Sequence, residues 1–260
     1  MVAQLWAEAV GTALGSDDDA RRELDRFVAA LPPGYVEETA PEDAAGDWSA
    51  IRSWLASGAT GNPPPAAAAG ALVLSGCRGG APGDFRLRRS GPRRIELSSS
   101  LPVLESFGLA TVESVPWHFV FAQGVEAYVD DIGLRVVTPV TADAGPTAFG
   151  PRLVDALNAV WQGNADLTPL NALVVGAGLG WREVGLLCAY CGYRGVVGGP
   201  RSADRAAAIA NALIAFPTVA AAIVDLFDTL LRQGVGGHTA ADERLAAVML
   251  EVPDLAHYEA

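Results

Sequence analysis

The chain has 260 residues, half of them hydrophobic, and a formal net charge of −12 in which every basic residue is an arginine. That length allows one large or two small domains with real cores, and the acidic balance disfavours nucleic acid as a partner. The lack of lysine excludes Schiff-base chemistry, a P-loop ammonium and a lysine general base. No apolar run reaches the ~18 residues of a membrane span. The opening "MVAQLWAEAVGTALGSDDD" has neither the basic start nor the cleavage site of a signal peptide, so the cytoplasm is the expected compartment.

Apolar Leu5, Trp6, Ala9, Val10, Ala13 and Leu14 follow helical spacing, and "SDDDARRELDRFVAAL" opens a second helix with acidic residues at the positive end of its dipole. "PPGY", Pro32 to Tyr35, ends it. A shorter helix is expected over Asp47 to Ala56, with Trp48, Ile51, Trp54 and Leu55 on one side. The low-complexity "SGATGNPPPAAAAG", Ser57 to Gly70, reads as a connector.

From Asp84 the period shortens to two. "DFRLRR" reads as a half-buried strand. "SSSLPVLESFGL" reads as a short helix with Pro102 in its first turn and Gly108 as its stop. "ATVESVPWHFVF" and "VEAYVDDIGLRVV" read as an antiparallel pair turning near Gln123 and Gly124. With "PRLVDALNAVWQG" as the next helix, the order is that of a small α/β sandwich of the split-βαβ kind, although its fourth strand is not visible. Beyond Gly163 the pattern is helical: Asn171 to Gly192, Ala203 to Ala215, Pro217 to Gln233 and about Ala241 to Glu251, with alanine-rich faces suited to a bundle. The expected fold class is therefore α+β, with a helical segment and linker over 1–70, an α/β domain over 84–150 and a helical bundle over 151–260.

The stretch "VVGAGLGW" raises the question of a nucleotide loop. A dinucleotide fingerprint needs a third glycine and an acidic residue about 20 positions on. Here Gly176 and Gly178 fit, Trp181 stands at the third position, and the acid is missing from "GVVGGP". A Rossmann-like nucleotide or S-adenosylmethionine protein using Gly176, Gly178 and Gly180 is kept as the enzyme-class alternative. The blander alternative is a helix–helix contact that uses glycine for close approach. Cys188 and Cys191, three apart on one predicted helix, read as packing residues, because no second pair or nearby histidine completes a metal site.

"AGLGWREVGLLCAYCGY", Ala177 to Tyr193, resembles the bacterial large-type NAD-dependent glutamate dehydrogenase family in the region that precedes its catalytic domain. The matching positions are Ala177, Gly178, Leu179, Trp181 to Val184, Leu186, Leu187, Ala189, Tyr190 and Tyr193. "ELSSSLPVLESFGLATVESVPWHF", "YVDDIGLR", "ALNAVWQGNADLTPLNALV" and "FPTVAAAIVDLF" are similar to family segments in the same order, as is the amino-terminal "RFVAALPPGYVEETAPEDAAGD". The resemblance implies an ACT-like (ferredoxin-like) domain and a helical motif tied to assembly and control. It also implies that oxidation of L-glutamate to 2-oxoglutarate and ammonia belongs to a separate catalytic domain, expected to begin about where this sequence ends. No catalytic residue, metal or cofactor is expected in the chain itself; NAD would be used by the parent enzyme. The expected partners are that catalytic domain or further copies of the chain, and an amino-acid effector. A stand-alone effector-binding or interaction protein is the second alternative. The family's arginine before Ala-Tyr is Cys188 here, and its "LRQ" after the second tyrosine is "RGV".

Asp130 and Asp131 fall on opposite faces of a strand, each either buried and paired or in contact with an effector's ammonium group. Trp181, Arg182 and Glu183 either link the bundle to another domain or place a tryptophan in the core and a charged pair in solvent. Arg86, Arg88, Arg89, Arg93 and Arg94 form a basic cluster, read as a solvated, charge-guarded edge strand or as a surface for an acidic partner. His118, His238 and His257 have no metal or triad spacing.

Overall fold

The computed structural model describes residues 2–14, 18–56, 71–76, 84–140, 146–197, 202–233 and 239–250. The described chain forms two compact units, Met1–Ser99 with Thr111–Leu134, and Ser100–Ala110 with Arg135–Ala260. These units cut across the divisions expected from sequence, because the amino-terminal helices share a core with the sheet.

The first unit opens with helices α1 (Val2–Leu14), α2 (Asp18–Val28), α3 (Tyr35–Glu38) and α4 (Pro41–Ala56). The strands are β1 (Ala71–Gly76), β2 (Asp84–Gly91), β3 (Leu109–Val120) and β4 (Glu126–Val136), which make one antiparallel sheet in the order β1-β2-β4-β3. β2 and β3 flank β4, which is the split-βαβ arrangement. The fourth strand, which the sequence pattern did not reveal after β4, comes from upstream. β1 lies against β2 with Ala71 opposite Ser90 and Gly76 opposite Phe85. β2 is thereby internal to the sheet, which corrects the reading of its arginines as a solvated edge.

One sheet face carries Trp117, Phe119 and Phe121 of the β3 segment and Ala127 and Val129 of β4, packed with Phe27, Tyr35, Trp48 and Ile51 in one core. Its aromatic rings meet edge-on or stacked, as with Tyr35 against Trp117 at 5.2 Å and Phe27 against Phe119 at 5.6 Å. Fully burying such a side chain contributes about 1.5–3 kcal/mol, so the amino-terminal helices hold to the sheet by apolar area first. α4 begins at Pro41, earlier than the expected Asp47. Pro41 at its first position and Glu42 and Asp43 in its first turn are all helix-start chemistry.

The second unit holds most of α5 (Leu97–Ser106), then α6 (Pro146–Trp161), α7 (Ala172–Gly176), α8 (Trp181–Val197), α9 (Ser202–Ala215), α10 (Pro217–Gln233) and α11 (Thr239–Leu250). Pro102 lies inside α5 rather than in its first turn. Gly108 ends that segment with φ +70°, and a Cβ there would stand 2.5 Å from Cβ of Thr138. The helix expected over Asn171 to Gly192 is instead a 3-10 turn (Pro169–Asn171) followed by α7 and α8. No single helix among the described residues is long and apolar enough to cross a membrane. α9 and α10 would be so only together, and they bend by 107° between Ala215 and Pro217.

Candidate functional site

The strand pair β2 and β4 alternates apolar and charged residues, and both kinds are buried. Arg88 and Arg89 are 2% and 4% exposed, and Asp130 and Asp131 are 3% and 4% exposed. Each of the two aspartates is buried and paired, the first of the alternatives set out for them. Arg88 grips Asp47 of α4 with two donors, Nε at 3.0 Å and Nη2 at 2.5 Å, and its third nitrogen donates to Asp131. Asp131 also accepts from Arg86 Nε at 2.6 Å, and Arg86 continues to Glu113 on β3. At the other end the Tyr35 hydroxyl donates to Asp47 at 2.5 Å. The chain of contacts therefore runs Tyr35, Asp47, Arg88, Asp131, Arg86, Glu113, from the helical layer across three strands.

On the opposite face of β4, the Asp130 carboxylate accepts the Ile95 backbone N–H at 2.9 Å and lies 3.5 Å from Arg89 Nη1. Arg94 Nε stands 3.9 Å away. Burial pushes the Asp47 and Asp130 carboxyls above the ordinary carboxylate value. Arg88 opposes the shift at Asp47, and the Ile95 N–H and Arg89 oppose it at Asp130. Burial also lowers Arg89 below the usual guanidinium value. Ion pairs this deep hold only because each charge has several donors or acceptors. Arginine is the cation suited to them, since its fork bridges two carboxylates at once.

The glycine-rich corner is helix-to-helix chemistry. Gly176 ends α7, where a Cβ would stand 2.7 Å from the Pro139 carbonyl oxygen, so only glycine permits that approach. Gly178 takes φ +67°, and the Leu179 N–H turns back to the Leu173 carbonyl at 3.2 Å, closing α7 with a left-handed cap. Gly180 then caps α8, and its N–H donates to Glu183 Oε2 at 2.7 Å, the reach of a capping-box acid at the third helical position. Buried α7, rather than a strand, leads into this corner, with Gly176 as its last residue. A dinucleotide loop requires strand, loop, helix.

Trp181 is half-buried rather than in the core, and the Arg182 guanidinium lies over its ring at 4.2 Å. Together with Asn164, Asp166, Thr168 and Cys188 these two residues line a cleft of about 490 Å³ between the α6–α7 connection and the first turns of α8. Cys188 is half-buried and Cys191 buried, and burial raises both thiols above their ordinary value. Sequence reasoning missed this cleft, because Asn164 to Thr168 reads as a polar loop and its partners lie a helix away. His118, given no role, stacks on Tyr128 at 4.5 Å on the sheet surface. His238 and His257 lie outside the described residues.

A split-βαβ sheet with a helical layer, followed by a helical bundle bearing a capped WRE corner, defines an ACT-like module joined to a helical motif. Residues 78–145 match the domain described as "Glutamate dehydrogenase, ACT3 domain", and residues 167–232 match "Glutamate dehydrogenase, helical motif 3". The chain belongs to the NAD-specific glutamate dehydrogenase family, and both matched modules are non-catalytic ones. It is 26% identical to the NAD-specific glutamate dehydrogenase of Mycobacterium tuberculosis over 97% of its own length and 15% of that protein. Its identity to the protein of the same name from Halomonas elongata is 32% over 62% of the chain and 10% of the relative. For Pseudomonas aeruginosa it is 28% over 88% of the chain and 13% of the relative. The chain therefore spans 10–15% of the length of the curated relatives it matches.

Proposed function

We propose that this chain acts as the regulatory and assembly region of an NAD-dependent glutamate dehydrogenase, which oxidises L-glutamate to 2-oxoglutarate and ammonia in the cytoplasm. The observation that carries the reading is collinearity: 97% of the chain aligns with one NAD-specific glutamate dehydrogenase, and two non-catalytic modules of that family follow each other along it. NAD and glutamate are handled by another part of the parent enzyme. The partners are that part and further copies of the protein, and control includes a response to an amino-acid effector.

On this reading Asp130 and Asp131 are structural. Their carboxylates are already engaged by Arg86, Arg88 and Arg89, which leaves a poor site for an effector's ammonium group. The direct test is the isolated 260-residue chain mixed with NAD and L-glutamate. Neither NADH formation nor saturable NAD binding is expected. Turnover, or tight NAD binding abolished by substitution at Gly176 or Gly178, would establish the nucleotide-enzyme alternative instead.

A further inference from the structure

The cleft beside α8 presents one anion and one cation that do not neutralise each other. Asp166 stands on the connection after α6 and Arg182 in the first turn of α8; both are exposed, and both line the cleft. Among the described residues neither makes an ion pair within 4.0 Å, and Glu183 next to Arg182 accepts the Gly180 N–H. The guanidinium is held flat on the Trp181 ring. That contact restricts its rotamers and leaves the donor edge of the fork open. Arg182 is the second residue of α8, so it stands at the positive end of that helix's dipole.

Asp166 stands two residues before Thr168, whose hydroxyl oxygen lies 3.9 Å from Cys188 Sγ. Cys188 lies six residues, or roughly 9 Å of helix, beyond Arg182, so the two charges stand apart along the cleft. Gly185 lines the wall between them, with nothing within 4 Å of where its Cβ would be. A glycine inside a helix costs about 1 kcal/mol relative to alanine, and no neighbour here requires it. It adds no side chain to the cleft wall at mid-length.

We propose that this cleft binds a small zwitterion of the amino-acid class, its carboxylate at Arg182 and the start of α8 and its ammonium group at Asp166. Charge decides the class. A simple anion would meet the repulsion of a chain carrying −12, and a simple cation would meet Arg182 and the helix start. A zwitterion has no net charge to repel and satisfies both ends. The volume suits it, since clefts of about 300–1,000 Å³ hold small ligands. The cleft stands on its own geometry. Only a controlling effect of the bound zwitterion rests on the regulatory reading, so calorimetry on the chain and activity of the longer enzyme can fail independently.

The test is isothermal titration calorimetry of the 260-residue chain with the twenty L-amino acids, and with glycine, β-alanine, 4-aminobutyrate and 6-aminohexanoate to read the charge separation. Acetate and ethylamine serve as single-charge controls. At least one zwitterion should bind one-to-one in the millimolar range or tighter. Arg182→Gln and Asp166→Asn should each weaken it about tenfold or more, as expected for a lost charged hydrogen bond. Gly185→Leu should block it, and Arg244→Gln on α11 should leave it unchanged. Three outcomes would overturn the proposal: no zwitterion binds, acetate binds as well as the best amino acid, or binding survives both charge substitutions.

Discussion

Replacing Arg88 by methionine keeps an apolar stem of similar length and removes the guanidinium at the centre of the sheet. Asp131 retains Arg86, but Asp47 loses both of its nitrogen donors and keeps only the Tyr35 hydroxyl. Asp47 is 1% exposed, so water cannot replace what is lost. Breaking a buried pair from one side costs about 3–5 kcal/mol. In a unit of this size that lowers Tm by on the order of 10 °C. The pH dependence has a definite sign. Burial already raises Asp47 above its unfolded value, and removing Arg88 raises it further. A carboxyl whose folded value is raised contributes stability that is full below the unfolded value and lost as pH rises through the folded one. The deficit of Arg88→Met is therefore greatest at neutral pH and shrinks on acidification toward the ordinary carboxylate range. Urea unfolding followed by tryptophan fluorescence at pH 7 and pH 4.5 reads both terms, since Trp48 and Trp117 lie in the adjoining core. In a cycle with Asp47→Asn, the double variant should lose less than the sum of the singles. A deficit below about 1 kcal/mol at pH 7, or one that grows in acid, would refute the reasoning about buried pairs.

Gly176→Ala forces a Cβ to 2.7 Å from the Pro139 carbonyl and should cost about 1–3 kcal/mol. Gly192→Ala on α8, with nothing within 4 Å, should instead stabilise by up to about 1 kcal/mol; thermal melts of the two variants should move in opposite directions. Glu183→Ala removes the acceptor of the Gly180 N–H and should cost about 0.5–1 kcal/mol, seen as earlier hydrogen exchange in the first turn of α8. Asp130→Asn keeps the contact with the Ile95 N–H but weakens those with Arg89 and Arg94; thermal melts should show a smaller loss than for Arg88→Met.

Periodicity carried much of this architecture. The shift from helical spacing to alternation at Asp84, the turn at Ala122–Gly124 and the left-handed stop at Gly108 are local signals, and each stands where the residues place it. β1 was hidden for a physical reason. "ALVLSG" follows an alanine- and proline-rich stretch, and its strand character comes from pairing with β2, a partner that sequence pattern cannot name. The same non-local term misled the reading of the arginines. Alternating Arg86 and Arg88 looks like a wet face until Asp47, about 40 residues upstream, and Asp131, about 40 downstream, are brought to it. The glycine run shows the reverse case. Its missing third glycine and absent acid already argued against a phosphate loop, and the close contact of Gly176 with Pro139 and the cap at Gly178 supply the positive reason for glycine there.

Under the proposed function, this region serves a larger glutamate dehydrogenase. The most direct measurement is the mass of the native polypeptide immunopurified from its own cells, with NAD-dependent glutamate oxidation assayed in the same fraction. A polypeptide several times larger than 26.9 kDa that carries the activity is expected. A polypeptide near 26.9 kDa with no associated glutamate oxidation would overturn the proposed function.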